Sequence, residues 1–151
     1  MCPYQLCLVA LQRADLNPAL FNTRRDGTNL ECRHTLEGHQ LGVVSADVDV
    51  TGTLAASSSI DSEIRLWDLA SGNCNHVINA GPVNTWTVAF SPDSRLIASG
   101  SNTGEVNLFS VESGKRETGL KTLGQFTMSV AYVRCHCGPC LAIAATAHQC
   151  S

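Results

Sequence analysis

In Ile64-Arg65-Leu66-Trp67-Asp68-Leu69, the residues Ile64, Leu66 and Asp68 fall on one parity and Arg65, Trp67 and Leu69 on the other. Period-two spacing with β-branched and aromatic residues predicts a strand. Neither parity is purely polar, so both faces of that strand are expected to be covered. The Trp67-Asp68 pair closes a pattern that runs from Leu36 to Gly72, and a weaker copy runs from Ile78 to Gly114. Sliding the chain by 42 positions lays Trp67 on Phe109 without a gap, Ser57 on Ser99, Leu66 on Leu108 and Gly72 on Gly114. A fixed period of this size marks stacked supersecondary units.

Each copy reads as four short strands. In the second these are Thr85–Phe90, Leu96–Ser101, Glu105–Val111 and an outer strand after Lys115. Turns fall at Ser91-Pro92-Asp93-Ser94, where Pro92 presets φ, at Asn102-Thr103-Gly104 and at Glu112-Ser113-Gly114. The first copy bends at Thr51-Gly52, Ile60-Asp61-Ser62 and Ala70-Ser71-Gly72. A third copy begins in register, with Ser129-Val130-Ala131-Tyr132 over Thr87-Val88-Ala89-Phe90. It then fails at one point, because Val133-Arg134-Cys135-His136 stands where a polar turn belongs. So abrupt a break is what splicing, read-through or a frameshift leaves behind. Residues 1–34 show no clean period. Leu6–Leu11 suits the start of a helix that Asn17-Pro18 would stop. The chain therefore divides into an irregular 1–34, a repeated 35–132 and an unrelated Cys-rich tail, 133–151.

At 151 residues, 44% of them apolar, the chain is long enough for one domain with a real core. The net charge of −3 and scattered Lys and Arg argue against direct nucleic-acid binding. No apolar run approaches the roughly 18 residues that span a bilayer, and no signal peptide is read at the start. The eight cysteines are then expected to be reduced thiols.

Leu36-Glu37-Gly38-His39, Ser57-Ser58-Ser59-Ile60-Asp61 and Ile64-Arg65-Leu66-Trp67-Asp68 together resemble a WD40 repeat. The resemblance implies an all-β fold, a partial WD40 β-propeller of about two four-stranded blades plus part of a third, with irregular ends. Leu36–Ser45 and Ala80–Ser94 are further similar to the second and third blades of the WD-repeat subunits shared by the superkiller (Ski) complex and the RNA polymerase II-associated factor complex. From this follow the expectations of a truncated or alternatively spliced member and of a non-catalytic scaffold for protein subunits of those complexes. Their settings are mRNA decay and transcription elongation, in nucleus and cytoplasm.

The resemblance also implies a hydrogen-bonded tetrad of His39, Ser57 (or Ser59, of the same parity), Asp61 and Trp67. The chemistry is sensible: a buried Trp N–H needs an acceptor, a buried carboxylate needs donors, and a His supplies one of each. A hydrolytic Ser-His-Asp triad is the competing reading, but no oxyanion-hole or nucleophile-elbow motif accompanies it. No catalytic residue, cofactor or metal ligand is therefore assigned. In the second copy Gly81, Thr103 and Phe109 replace His39, Asp61 and Trp67, and apolar packing alone is expected to hold it. Trp86 is expected to serve recognition, near the narrow, partner-binding face, with filling between blades as the alternative. Cys135-His136-Cys137-Gly138-Pro139-Cys140 offers zinc-ligand types, but its spacing matches no common four-ligand frame. A metal-binding or redox role for the tail, and a form without partner binding, stand as alternatives to the scaffold. Incomplete closure predicts exposed blade faces, and hence marginal stability or association with a partner.

Overall fold

The computed structural model describes the backbone of residues 7–11, 18–23, 30–81, 85–124, 126–135 and 138–146. Side chains are described for residues 35–81, 85–124, 126–127 and 129–132. All its regular elements are strands: β1 (Cys7–Leu11), β2 (Pro18–Thr23), β3 (Leu30–Thr35), β4 (Val43–Val48), β5 (Leu54–Ser59), β6 (Glu63–Asp68) and β7 (Cys74–Asn79). The second half holds β8 (Thr85–Phe90), β9 (Leu96–Ser101), β10 (Glu105–Ser110), β11 (Arg116–Lys121), β12 (Phe126–Cys135) and β13 (Gly138–Thr146). No helix among the described residues is long and apolar enough to cross a membrane.

The repeated region forms two four-stranded antiparallel sheets, β4-β5-β6-β7 and β8-β9-β10-β11, each in sequence order. Their turns obey the same period. Gly52 and Ser94, 42 apart, both have positive φ (70° and 59°), and so do Ser62 and Gly104 (67° and 72°). Each pair places glycine in one copy and serine in the other, so the backbone path is kept even where the residue is costly there. A buried side chain closes the β4–β5 turn: Asp49 accepts from the Thr53 and Leu54 N–H groups at 2.8 and 2.9 Å. Ser91, 42 residues on, accepts from the Leu96 N–H at 2.9 Å.

Trp67 and Leu69 face one side of the first four-stranded sheet and join Leu36 and Ala55 in one cluster. Ile64 and Leu66 face the other, with Ala56 and Ile78, and meet Val88, Phe90, Ile97 and Phe109 of the second sheet. Both faces of the hexapeptide are thus buried, as the alternation requires. Polar bonds also join the sheets: the Phe90 N–H donates to Asp47 Oδ2 at 2.8 Å and the Val88 N–H to Ser45 Oγ at 3.3 Å.

Both ends differ from the sequence reading. Where Leu6–Leu11 suggested a helix and 1–34 no regular structure, β1, β2 and β3 form an antiparallel sheet, with β1 beside β4. A short apolar run cannot separate helix from strand by period, and here pairing decided it: Leu8 opposes Phe21 and Val9 opposes Leu20. In the tail, expected to be irregular, β13 pairs with β12 and occupies the second-strand place of a third unit. Val130 pairs with Ile143, whereas the pairing of Val88 with Ser99 would put Val130 against residue 141. A slip of two, unlike a slip of one, keeps the alternation of a strand in step. Gly100 lets β12 approach: a Cβ at that position would stand 2.8 Å from the Thr127 carbonyl oxygen.

Candidate functional site

His39, in the loop before β4, reaches the turn between β5 and β6. Its Nδ1 lies 3.1 Å from Asp61 Oδ2 and its Nε2 lies 2.8 Å from Ser57 Oγ, which also receives the Trp67 Nε1–H at 2.8 Å. The proton positions follow from the partners. An ionised carboxylate only accepts, so Nδ1 carries the hydrogen; Nε2 then accepts from the Ser57 hydroxyl, whose oxygen accepts from Trp67. Every polar atom of this hydrogen-bonded chain has a partner. The choice between Ser57 and Ser59 goes to Ser57, while the Ser59 hydroxyl donates to the Leu41 carbonyl at 3.0 Å.

Asp61 also accepts the Gln40 N–H on Oδ2 and the Glu63 N–H on Oδ1, each at 3.0 Å. It therefore ties the loop carrying His39 to the turn that starts β6. Partial burial alone would raise its pKa, but the Glu63 and Gln40 N–H groups and His39 outweigh it and hold the carboxyl below its ordinary value. Burial pulls the His39 imidazole below its ordinary value, with the hydrogen bond to Asp61 opposing. The two shifts agree on neutral His39 beside ionised Asp61 at pH 7.

Ser57, His39 and Asp61 have the order of contacts of a hydrolytic triad, yet Ser57 is 1% exposed and its oxygen is taken by the Trp67 indole N–H. No substrate carbonyl can reach it. His39, Asp61 and Glu63 also bring three ligand-type atoms within 4.8 Å of one another. Those atoms already have donors, because Glu63 Oε2 holds the Arg65 guanidinium at 2.8 Å and Asp61 Oδ2 holds His39 and Gln40. Arg65 there would also repel a cation. The side chains of Cys135, Cys137 and Cys140 lie outside the described residues.

In the second sheet Phe109 fills the Trp67 position with no N–H, and Ser99 Oγ, the counterpart of Ser57 Oγ, is buried without a hydrogen-bond partner. Apolar packing alone was expected to carry this sheet at little cost. The cost falls on Ser99, which kept its hydroxyl after its donors and acceptor were lost.

Trp86 sits on a β-bulge, between the Thr85–Ser101 and Thr87–Gly100 pairs, and is 37% exposed. The same bulge recurs at Val44 in β4 and at Met128 in β12, each 42 residues away. Bulges re-aim a side chain, and here each first strand leaves one apolar residue without a register partner at the same end. The sequence held part of this signal, since Val44 and Met128 stand 42 residues on either side of Trp86. Of the eight large apolar residues exposed among those described, Leu41, Ile60, Trp86, Leu123 and Phe126 lie at this end, against Val50 alone at the other. That distribution marks the bulge end as the apolar one.

The sequence model of the WD40 family, "WD domain, G-beta repeat", matches residues 30–68 and 72–110, which together make up just over half of the chain. The chain belongs to the WD40 family. The first matched WD40 repeat opens on β3, so β3 acts as the outer strand of the sheet that precedes β4. The chain is 48% identical to the WD repeat-containing protein SL1-17 of Schistosoma mansoni, over 70% of this chain and 35% of that protein. It is 34% identical to the WD repeat-containing protein VIP3 of Arabidopsis thaliana, over 56% of this chain and 26% of that one. It is 30% identical to the COMPASS component SWD3 of Saccharomyces cerevisiae, over 64% of this chain and 35% of that one. Among solved structures, "Crystal structure of RRP9 WD40 repeats" aligns with a TM-score of 0.61 at 25% identity, covering 66% of this chain and 32% of that one. The alignment with "Structure of U3-55K", TM-score 0.63 at 23% identity over the same shares, shows the fold alone. The chain thus spans about a third of the length of these relatives, and its sheets are blades of a partial β-propeller.

Proposed function

We propose that this chain is a non-catalytic protein-interaction scaffold that presents its bulge end, centred on Trp86, to partner subunits. The observation that carries the reading is the exposed indole on a bulge among Leu41, Ile60, Leu123 and Phe126. Tryptophan is enriched at interface hot spots, and a patch of this kind on one end suits a protein partner. Membership of the WD40 family supports it, and SWD3, one of the relatives, is a component of the COMPASS complex.

The partners proposed are subunits of the Ski and polymerase-associated factor complexes, which would place the chain in both nucleus and cytoplasm. The blade sequences Leu36–Ser45 and Ala80–Ser94 carry that finer reading, together with the view of the chain as a truncated or alternatively spliced member. The test is a pull-down from both compartments with the full chain and with Trp86→Ala. Ski or polymerase-associated factor subunits should be retained at near-equal stoichiometry and lost by at least about tenfold in the variant, the scale of a hot spot. Retention unchanged in Trp86→Ala refutes the surface; absence of those subunits from the wild-type eluate refutes the partners. Exon boundaries near Thr35 and Val133 check the splicing view.

A further inference from the structure

Ser59 ends β5 with no exposed surface, yet it bonds to three separate segments of the bulge end. Its hydroxyl donates to the Leu41 carbonyl at 3.0 Å and accepts the Asp61 N–H at 3.2 Å. Its carbonyl accepts the Ser62 N–H at 3.2 Å and the Thr85 hydroxyl at 3.4 Å. Each segment so held carries an exposed apolar residue: Leu41 itself, Ile60 between Ser59 and Asp61, and Trp86 directly after Thr85. The Ile60 N–H adds a bond to the Gly42 carbonyl at 3.1 Å.

The arrangement does not recur 42 residues on. Ser101, at the place of Ser59, turns its hydroxyl to the Glu105 carbonyl at 3.0 Å and shares a bond with the Thr103 hydroxyl. Asn102 stands where Ile60 stands. Thr127, at the place of Thr85, buries a hydroxyl that has no hydrogen-bond partner among the described residues. A blade therefore forms without this set of bonds, and the set occurs where apolar residues of three segments are exposed together.

We propose that Ser59 is a positioning residue for recognition: buried itself, it fixes the Leu41 loop, the Ile60 turn and the start of the strand carrying Trp86 in one arrangement in the free chain. The inference rests on the partner reading of the bulge end given above. A partner that meets Leu41, Ile60 and Trp86 together gains from order already present, since each loop and side chain immobilised on binding costs affinity. Ser59→Ala unties Leu41 from the Ile60 turn, whereas Ser59 belongs to neither apolar cluster of its blade. His39 and Gln40 stay bound to Asp61, so the loosening is confined to Leu41 and Gly42.

The test titrates the pull-down of Ski and polymerase-associated factor subunits with the full chain, Ser59→Ala, Leu41→Ala, the double variant and Trp86→Ala. Ser59→Ala should weaken retention about three- to tenfold, the range of one net hydrogen bond. In the Leu41→Ala background the same change should cost less than about twofold, because a residue acting through Leu41 has nothing left to position. Amide exchange in the free Ser59→Ala chain should quicken about tenfold at Leu41 and Gly42 and stay unchanged in β6 and β9. Ser59→Thr keeps the hydroxyl and should restore both readings. If Ser59→Ala melts too low to be measured, Thr85→Val, of like shape without the hydroxyl, replaces it and should weaken retention too. Retention equal to wild type in these variants, while Trp86→Ala loses its partners, overturns the inference and leaves the partner reading standing. A Ser59→Ala loss fully additive with Leu41→Ala makes Ser59 structural only and overturns it as well. Retention unchanged in Trp86→Ala, or no subunits held by the wild type, refutes the partner reading and the inference with it.

Discussion

The first blade buries a chain of hydrogen bonds from Trp67 through Ser57 and His39 to Asp61; the second holds Phe109, Ser99, Gly81 and Thr103 at the same places and buries an unpaired hydroxyl. Their backbones agree strand for strand and turn for turn. The tetrad is therefore not what makes a blade. Alternating apolar positions and left-handed turn residues suffice for that, and the tetrad ties one loop and one turn to the sheet. What it adds is rigidity at the end where Trp86, Leu41 and Ile60 are exposed.

The largest effect should come from what both blades share. Phe109→Ala removes the ring packed among Ile64, Leu66 and Ile78, and should cost about 3–5 kcal/mol in denaturant unfolding. A loss below about 1 kcal/mol would mean that the two sheets are not held together there. Asp61→Ala should follow at about 1–3 kcal/mol, because buried His39 loses its acceptor and two N–H groups lose theirs. Its counterpart Thr103→Ala should stay within about 0.5 kcal/mol. Equal losses at the two positions would erase the contrast between the blades.

Serine sharpens the contrast further. Ser57→Ala should destabilise by about 1–2 kcal/mol, since it strands the Trp67 N–H and His39 Nε2. Ser99→Ala removes a buried hydroxyl that bonds nothing, and should be neutral or stabilising in a thermal melt. At the turns, Ser94→Gly and Ser62→Gly should each raise stability by about 0.5–1 kcal/mol, and Gly52→Ser should lower it by as much. A melt series in which all three move the same way would refute the shared backbone path.

Acid should act through the first blade. Burial depresses His39 below 6.5, so the unfolded chain takes up that proton at a higher pH than the folded one. The stability tied to neutral His39 is thus complete above about pH 6.5 and lost as pH falls through the folded value. Asp61, depressed below 3.8, contributes above that pH, and its share is lost as pH falls further. The urea midpoint should drop between pH 7.5 and pH 5 (both chosen to bracket the His39 transition), and His39→Gln should flatten that drop. An identical slope in the variant would place the titrating group elsewhere.

Sequence alone determined the strands of both four-stranded blades and their turns, while the tetrad partners came from the family resemblance. A strand buried on two faces must alternate in a recognisable way, and a period of 42 repeats the statement. The resemblance also named Trp86, but not the bulge that exposes it, because a bulge is a property of the pairing with β9. The ends were not legible. In Leu6–Leu11 and in Gly138–Thr146 no period survives, and the strands beside them, β2 and β4 for the one and β12 for the other, select a strand from a sequence that does not insist on it. The fate of Leu108 and Leu120 was likewise invisible. Those residues read like Leu66 and Ile78 yet are less buried among the described residues, because burial is decided by what packs against a strand and not by the strand itself.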